Sequence, residues 1–164
     1  MSDVAPFDPE RLIKVLSRHR VRFVLIGALA ARLHGFPRLT ADADITPADD
    51  KRNLERLAAA LVELDAKVYT ESVPEGLAFD RSATALGRAR MWNLVTTAGR
   101  LDIAFLPAGT RGYEDLAKGA EKFEAFGVHF LAASLEDIIR SKEATGRAKD
   151  EEDVVILKAI RKIT

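Results

Sequence analysis

Three aspartates have the spacing to act together. In Leu39-Thr40-Ala41-Asp42-Ala43-Asp44-Ile45, Asp42 and Asp44 stand two residues apart. Residues i and i+2 of a strand point to the same face, so the two carboxylates project together while Ala43 and Ile45 turn away. In Arg100-Leu101-Asp102-Ile103-Ala104-Phe105, alternation puts Leu101, Ile103 and Phe105 on an apolar face and Asp102 on the opposite one. If the two strands are neighbours, three carboxylates meet. Two unit charges about 4 Å apart repel by roughly 4 kcal/mol at an effective dielectric of about 20. Such a cluster needs a proton or a cation. An all-oxygen donor set without His or Cys favours a hard ion such as Mg²⁺, and paired hard ions are a usual apparatus for phosphoryl transfer. The spacing alone fits turn or strand-edge charges equally well.

A second group of chemistry-bearing residues lies in Ser134–Asp153. Leu135, Ile138, Ile139 and Lys142 fall at i, i+3, i+4 and i+7, so Lys142 shares the apolar face of its helix. A lysine there must snorkel outward or reach a buried anion. On the last helix, Asp150 and Asp153 sit near the inward face at the helix start, where the helix dipole favours acids; capping alone would account for both. Upstream, Gly27 ends a buried apolar run and a helix begins at once, an arrangement that offers free N–H groups to an anion. A plain strand-to-helix turn is the simpler use of that glycine.

The elements that must position these groups are legible in the pattern. Asp8-Pro9 opens a helix to Arg18, with Leu12, Ile13 and Leu16 as its apolar stripe. Residues 22–27 read as a central strand, 28–34 as a short helix and 41–46 as a brief strand. Leu54, Leu57, Leu61 and Leu64 mark a helix over 49–64. Strand character follows at 67–70 and 77–79. Residues 91–97 and 100–106 flank Ala98-Gly99 as a β-hairpin. A short helix is expected at 113–118, one strand within 123–131, and helices at 134–145 and about 149–163; Ser134 and Asp137 have capping-box spacing. The order implies a single α+β domain with a small mixed β-sheet flanked by helices.

Composition narrows the class. The 164 residues are 48% hydrophobic and 30% charged, with 25 basic and 25 acidic residues and no net charge. No cysteine is present, which excludes disulfides and Cys-based zinc sites, and His19, His34 and His129 are far apart. His34 reads as structural. The apolar runs fall short of the roughly 20 residues that a membrane helix needs. The N-terminal MSDVAPFDPERL has no apolar core of a signal peptide. A cytoplasmic protein without membrane contact is expected.

The run Ile26-Gly27-Ala28, Leu33-His34-Gly35, Arg38-Leu39-Thr40-Ala41-Asp42-Ala43-Asp44, with Leu101-Asp102-Ile103 later, resembles the nucleotidyltransferases of the DNA polymerase β superfamily. Within it, the chain is most similar to the AbiEii-type and MenT-type toxin nucleotidyltransferases. Their Ser-Leu/Asp-Leu-Ile-x-x-Lys helix, followed by Gly-Arg-x-Lys-Asp-x-x-Asp, is matched by Lys142, Arg147, Lys149, Asp150 and Asp153. The resemblance spans roughly residues 23–157. It implies a polymerase β-like fold with C-terminal helices, core motifs at about 23–106 and a helical part at about 134–163. It implies that Asp42, Asp44 and Asp102 hold Mg²⁺ or Mn²⁺. Gly27, Ala28, Arg38, Thr40, Arg147 and Asp153 would bind the NTP, and Lys142 would contact it. The departure is Ala28, where the family usually has Gly or Ser; Ala keeps the backbone N–H but offers no hydroxyl.

The implied reaction is transfer of a nucleoside monophosphate to a hydroxyl, with the 3′ end of tRNA as acceptor, in a growth-inhibiting toxin countered by an antitoxin protein. Asp102 would take the proton and Lys142 would neutralise the leaving pyrophosphate. The same motif serves relatives that modify a protein or a small molecule such as an aminoglycoside. A catalytically inert nucleotidyltransferase fold acting as a binding module is the alternative from another class. Charge distribution bears on the acceptor. Arg81–Arg100 holds four Arg and no acid, together with Trp92. That patch suits a nucleic-acid strand with Trp92 stacking on a base; alternation instead pairs Trp92 with Leu94 in the core.

Overall fold

The computed structural model describes residues 4–164, so the first three residues of the N-terminal stretch considered above as a signal lie outside the described residues. Helix α1 (Pro9–Arg18) is followed by β1 (Phe23–Ile26), α2 (Gly27–Leu33), β2 (Asp42–Pro47), α3 (Lys51–Glu63), β3 (Lys67–Val68) and the one-turn α4 (Ala83–Leu86). Then come β4 (Met91–Thr96), β5 (Gly99–Ala104), α5 (Tyr113–Gly119), β6 (Glu121–Ala125), β7 (Val128–Ala132), α6 (Leu135–Thr145) and α7 (Ala148–Ile163). The strands form one sheet in the order β3-β4-β5-β2-β1-β7-β6. β1 runs antiparallel to β2, while the β2–β5 and β1–β7 pairs are parallel. The mixed α+β architecture is therefore the one expected, with a larger sheet.

Local chemistry sets the helix ends. Asp8 accepts from the Arg11 N–H at 3.1 Å with Pro9 in the first turn, Asp50 accepts from the Asn53 N–H at 3.2 Å, and Ser134 accepts from the Asp137 N–H at 3.1 Å. Gly146 ends α6 in the left-handed region at φ 65°. The fully buried Asn53 clamps α3 to the strands: its side chain accepts from the Arg22 N–H and donates to the Arg22 and Ala48 carbonyls.

The core fixes which way the sheet faces. Ala43 and Ile45 of β2, Leu101 and Ile103 of β5 and Leu94 of β4 are buried with Leu12, Leu16, Leu57, Leu61 and Leu64. Burying a side chain such as Leu or Ile stabilises by about 1.5–3 kcal/mol. A one-residue slip of β2 or β5 would turn these side chains outward and drive aspartates inward. The apolar parity thus holds the carboxylates on the opposite face.

Three expectations need correction. Of the strand character at 67–70 and 77–79, only Lys67–Val68 forms a strand; Leu77 meets Val68 in an isolated bridge, and Pro74 and Gly76 lie in the loop between. The single strand within 123–131 is a hairpin, β6 and β7, turning at Phe126-Gly127 with φ 58° and 77°. The α4 turn, capped by Ser82 accepting from the Ala85 N–H, had no expected counterpart. No helix among the described residues is long and apolar enough to cross a membrane.

Leu101→Ala is expected to cost about 2–5 kcal/mol, because Leu101 is fully buried and its loss frees the β5 register. Urea unfolding checks this; a loss under about 1 kcal/mol would show that the core does not pin β5.

Candidate active site

The register brings the three aspartates together. β2 pairs with β5 so that Asp44 lies opposite Asp102 and Asp42 opposite Arg100. One carboxylate oxygen from each of Asp42, Asp44 and Asp102 lies within 4.8 Å of the others. Burial, then the charges of Asp42 and Asp102, pushes the Asp44 carboxyl up to about 7, although Arg100 and Lys142 pull the other way. Asp102 is also raised, by burial first, with Arg100 opposing and Asp42 adding. The Thr40 hydroxyl donates at 3.0 Å to the Asp42 carbonyl and lies 3.2 Å from its Oδ1. The cluster carries more negative charge than its surroundings compensate, and its donors are all oxygen. Those features fit a hard divalent cation.

Gly27 is shaped by this cluster. It has φ 68°, and a Cβ there would sit 2.4 Å from Asp44 Oδ2. Only glycine satisfies both the left-handed backbone and the close approach. The departure noted at Ala28 falls one residue later, where a side chain is tolerated.

A cationic wall faces the triad. Lys142 Nζ lies 3.1 Å from Asp153 Oδ2 and 3.5 Å from Asp150 Oδ1. Arg38 forks onto Asp153, with Nη2 2.8 Å from Oδ1 and Nη1 3.1 Å from Oδ2. Arg147 Nε donates to Asp150 Oδ2 at 2.7 Å, and the Thr145 hydroxyl donates to the same oxygen at 2.5 Å. Burial works to raise Asp150, but the bonds from Thr145 and Arg147 and the charges of Lys142 and Arg147 hold it below the usual carboxylate range. Lys142 therefore reaches buried anions rather than snorkelling. Asp150 and Asp153 are spent on aligning cations rather than on capping; the N-cap of α7 is Arg147.

Ten of the residues singled out in the sequence line one cavity of about 570 Å³: Gly27, Ala28, Arg38, Thr40, Asp42, Asp44, Asp102, Lys142, Arg147 and Asp153. Lys149 and Asp150 join them. His34 is structural, as expected: its Nε2 bonds the Ala133 carbonyl at 2.9 Å and its ring meets the Phe123 edge. Two of the four arginines of the Arg81–Arg100 patch are paired within the chain. Arg81 pairs with Asp65 and Arg100 with Asp102, while Trp92 donates from Nε1 to the Leu86 carbonyl and packs on Phe79. Trp92 is thus held by the core edge rather than free to stack.

Arg100 is the site residue that sequence reasoning passed over. Its Nη2 lies 3.2 Å from Asp102 Oδ1, and its guanidinium stacks 3.7 Å above the Tyr69 ring. The i, i+2 spacing to Asp102 was the signal that places it on the same strand face.

No protein-family model matches the chain, and no curated protein matches its sequence. Solved structures do match its shape. The lincosamide antibiotic adenylyltransferase LnuA, bound to lincomycin, superposes with a TM-score of 0.59 at 15% identity, covering 94% of this chain and 99% of LnuA. A Thermotoga maritima chain assigned as a nucleotidyltransferase gives 0.54 at 19% identity, covering 96% and 97%. The chain has the nucleotidyltransferase fold. The similarity extends over nearly the whole of this chain in both cases.

The raised Asp44 carboxyl predicts a pH signature in the metal-free protein. Its folded value of about 7 lies above the ordinary 3.8, so the folded chain holds a proton that the unfolded chain releases. That contribution is complete at low pH and is lost as pH climbs from about 4 to about 7. Asp44→Asn is expected to melt above wild type, with an advantage that grows over this range and is flat above it. Each kcal/mol corresponds to about 2–4 °C for a chain of this size. Saturating Mg²⁺ or Mn²⁺ should reverse the order. Calorimetry in both conditions checks it; a pH-independent difference would contradict the assignment.

Proposed function

We propose that the chain is a metal-dependent nucleotidyltransferase that moves a nucleoside monophosphate from an NTP to an acceptor hydroxyl and releases pyrophosphate. The observation that carries this is one cavity with a carboxylate triad on one side and Arg38, Lys142, Arg147 and Lys149 on the other. The family resemblance and the nucleotidyltransferase fold support it. Mg²⁺ or Mn²⁺ held by Asp42, Asp44 and Asp102 would supply Lewis-acid polarisation of the phosphate and a lowered pKa for the acceptor hydroxyl. Arg38, Lys142 and Arg147 hold the triphosphate by charge, with Asp150 and Asp153 fixing their positions. The Gly27-Ala28 backbone lies against the phosphates. The acceptor oxygen forms a bond to the α-phosphorus, the bond from that phosphorus to the α–β bridging oxygen breaks, and Asp102 accepts the hydroxyl proton. Lys142 offsets the charge gathered on the pyrophosphate. An inert fold used as a binding module has little support, since it would gain nothing from keeping three aspartates in mutual repulsion.

Two acceptors have support. A small organic acceptor is supported by the match to LnuA over nearly its full length, a lincosamide adenylyltransferase of similar extent, and by a cavity in the range of small-ligand pockets, about 300–1,000 Å³. The 3′ end of tRNA, in a toxin restrained by an antitoxin in the cytoplasm, is supported by the Gly146-Arg147-Ala148-Lys149-Asp150 signature and by Arg147 and Lys149, which stay exposed at the rim.

Label transfer tests the reaction. Protein, Mg²⁺ and each α-labelled NTP are incubated with total tRNA, with amine-bearing antibiotics, or alone. Label should move to an acceptor, need the metal, and fall at least about 10²-fold in Asp44→Ala. Metal-independent nucleotide binding without transfer would favour the inert module. Lys142→Ala is expected to raise KM for the NTP and lower kcat together, about tenfold or more in kcat/KM, equivalent to about 1.4 kcal/mol; an unchanged KM would remove Lys142 from the nucleotide site.

A further inference from the structure

Helix α7 is apolar on two sides. Its inner side sets the buried Val154 and Leu157 and the partly buried Ile160 against the core. Its outer side carries Val155, Ile156, Ala159 and Ile163, all exposed; Val155 is 69% and Ile163 83% open to solvent. At 3.6 residues per turn these four fall within about 100° of arc. A surface helix ordinarily keeps one apolar stripe and turns a polar face to water. The outer stripe is surplus to the packing of one chain, and none of its four residues lines the cavity. Asp150 and Asp153, which align the cations of the site, belong to the inner side.

The charges beside this stripe change sign along it. Glu151 and Glu152 stand before Val155, and Lys162 stands after Ala159. Lys158 and Arg161 are drawn away to Glu143 and Glu136 of α6. Glu151, Glu152 and Lys162 are exposed and enter no ion pair among the described residues. Glu152, Ile156, Ala159 and Ile163 follow one another at spacings of four, three and four. That is the seam of a helix packed on another helix.

A second copy of this chain complements such a face. Two α7 helices laid antiparallel about a twofold axis set Ile156 of each over the small Ala159 of the other. They also bring Glu151 and Glu152 of one copy beside Lys162 of its partner, and the symmetry makes that pairing twice. A parallel arrangement would oppose Glu152 to Glu152 and Lys162 to Lys162, with the helix dipoles aligned rather than opposed. A polyanion such as a nucleic acid would meet its own sign at Glu151 and Glu152. We propose that the outer face of α7 is a self-association surface on which two copies of this chain pair as an antiparallel, twofold-symmetric dimer. The 16 residues of α7 span about 24 Å. One helix face of that length buries less than the roughly 1,200–2,000 Å² of a stable complex, so the dimer is weak and concentration-dependent. Such pairing is independent of the transfer reaction proposed above.

Sedimentation equilibrium of the full chain, from about 5 to about 500 µM, reads the association by mass action. The average mass should climb toward twice that of one chain. Val155→Glu/Ile163→Glu, at two exposed positions outside the cavity, should keep the wild-type circular dichroism and weaken dimerisation at least about tenfold. Glu152→Lys should weaken it about threefold or more at low salt and less at high salt. Adding Lys162→Glu to that variant should restore it, since the swap re-forms both cross-pairs only when the helices run antiparallel. A single-chain mass at every concentration overturns the proposal and leaves the face to a partner of another sequence. Association unchanged in Val155→Glu/Ile163→Glu overturns it by placing the contact elsewhere, and failure of Lys162→Glu to rescue Glu152→Lys overturns the antiparallel pairing. Should the apolar double variant unfold, the charge-reversal and charge-swap variants decide alone.

Discussion

Mutual repulsion among three carboxylates is the constraint around which this chain is organised. Asp42, Asp44 and Asp102 are forced together by the parallel pairing of β2 with β5. The pairing persists because the other face of both strands is packed with Ala43, Ile45, Leu101 and Ile103. Apolar burial, a non-directional force, thus sustains an electrostatic arrangement that is unfavourable by itself. Burial first, and the charges of Asp42 and Asp102 after it, raise the Asp44 carboxyl. A bound divalent cation would turn the same geometry from a cost into an affinity.

The opposite wall solves a complementary problem. Lys142 and Arg38 converge where their own repulsion would spread them. Asp150 and Asp153, nearly inaccessible to solvent at 3% and 1% exposure, hold them in place. Asp150 accepts from Lys142, Thr145 and Arg147, and Asp153 Oδ2 accepts from Arg38 and Lys142, so both buried acids are paired with cations. The cations are thereby aligned before any nucleotide arrives, which lowers the ordering cost of binding. Gly27 joins the halves, since it lets β1 end and α2 begin against the Asp44 carboxylate.

Much of this was legible in the sequence, for physical reasons that differ by element. The strand alternation at Asp42-Ala43-Asp44 and Leu101-Asp102-Ile103 has a period of two, which fixes side-chain direction without any tertiary information. The i, i+3, i+4, i+7 pattern of α6 likewise put Lys142 on the inward face. The partners of Lys142 were open, because snorkelling and ion pairing look alike until the neighbouring helix is placed. Arg100 and Tyr69 were hidden because their stack joins β5 to the end of β3 across β4, a contact set by sheet order. The basic character of Arg81–Arg100 was real as composition, but Asp65 and Asp102 reach two of those arginines through the fold. The 67–80 region misled because its Val, Tyr and Phe suit a strand, while Pro74 and Gly76 turn the chain before a ladder can form.

The account stands on metal held by the triad. Electron paramagnetic resonance of free Mn²⁺, titrated into the protein without nucleotide, reads this directly. Wild type should deplete the free Mn²⁺ signal stoichiometrically, and Asp42→Asn/Asp44→Asn, still folded by circular dichroism, should leave it undiminished. Equal depletion by both proteins, or by neither, would contradict the account.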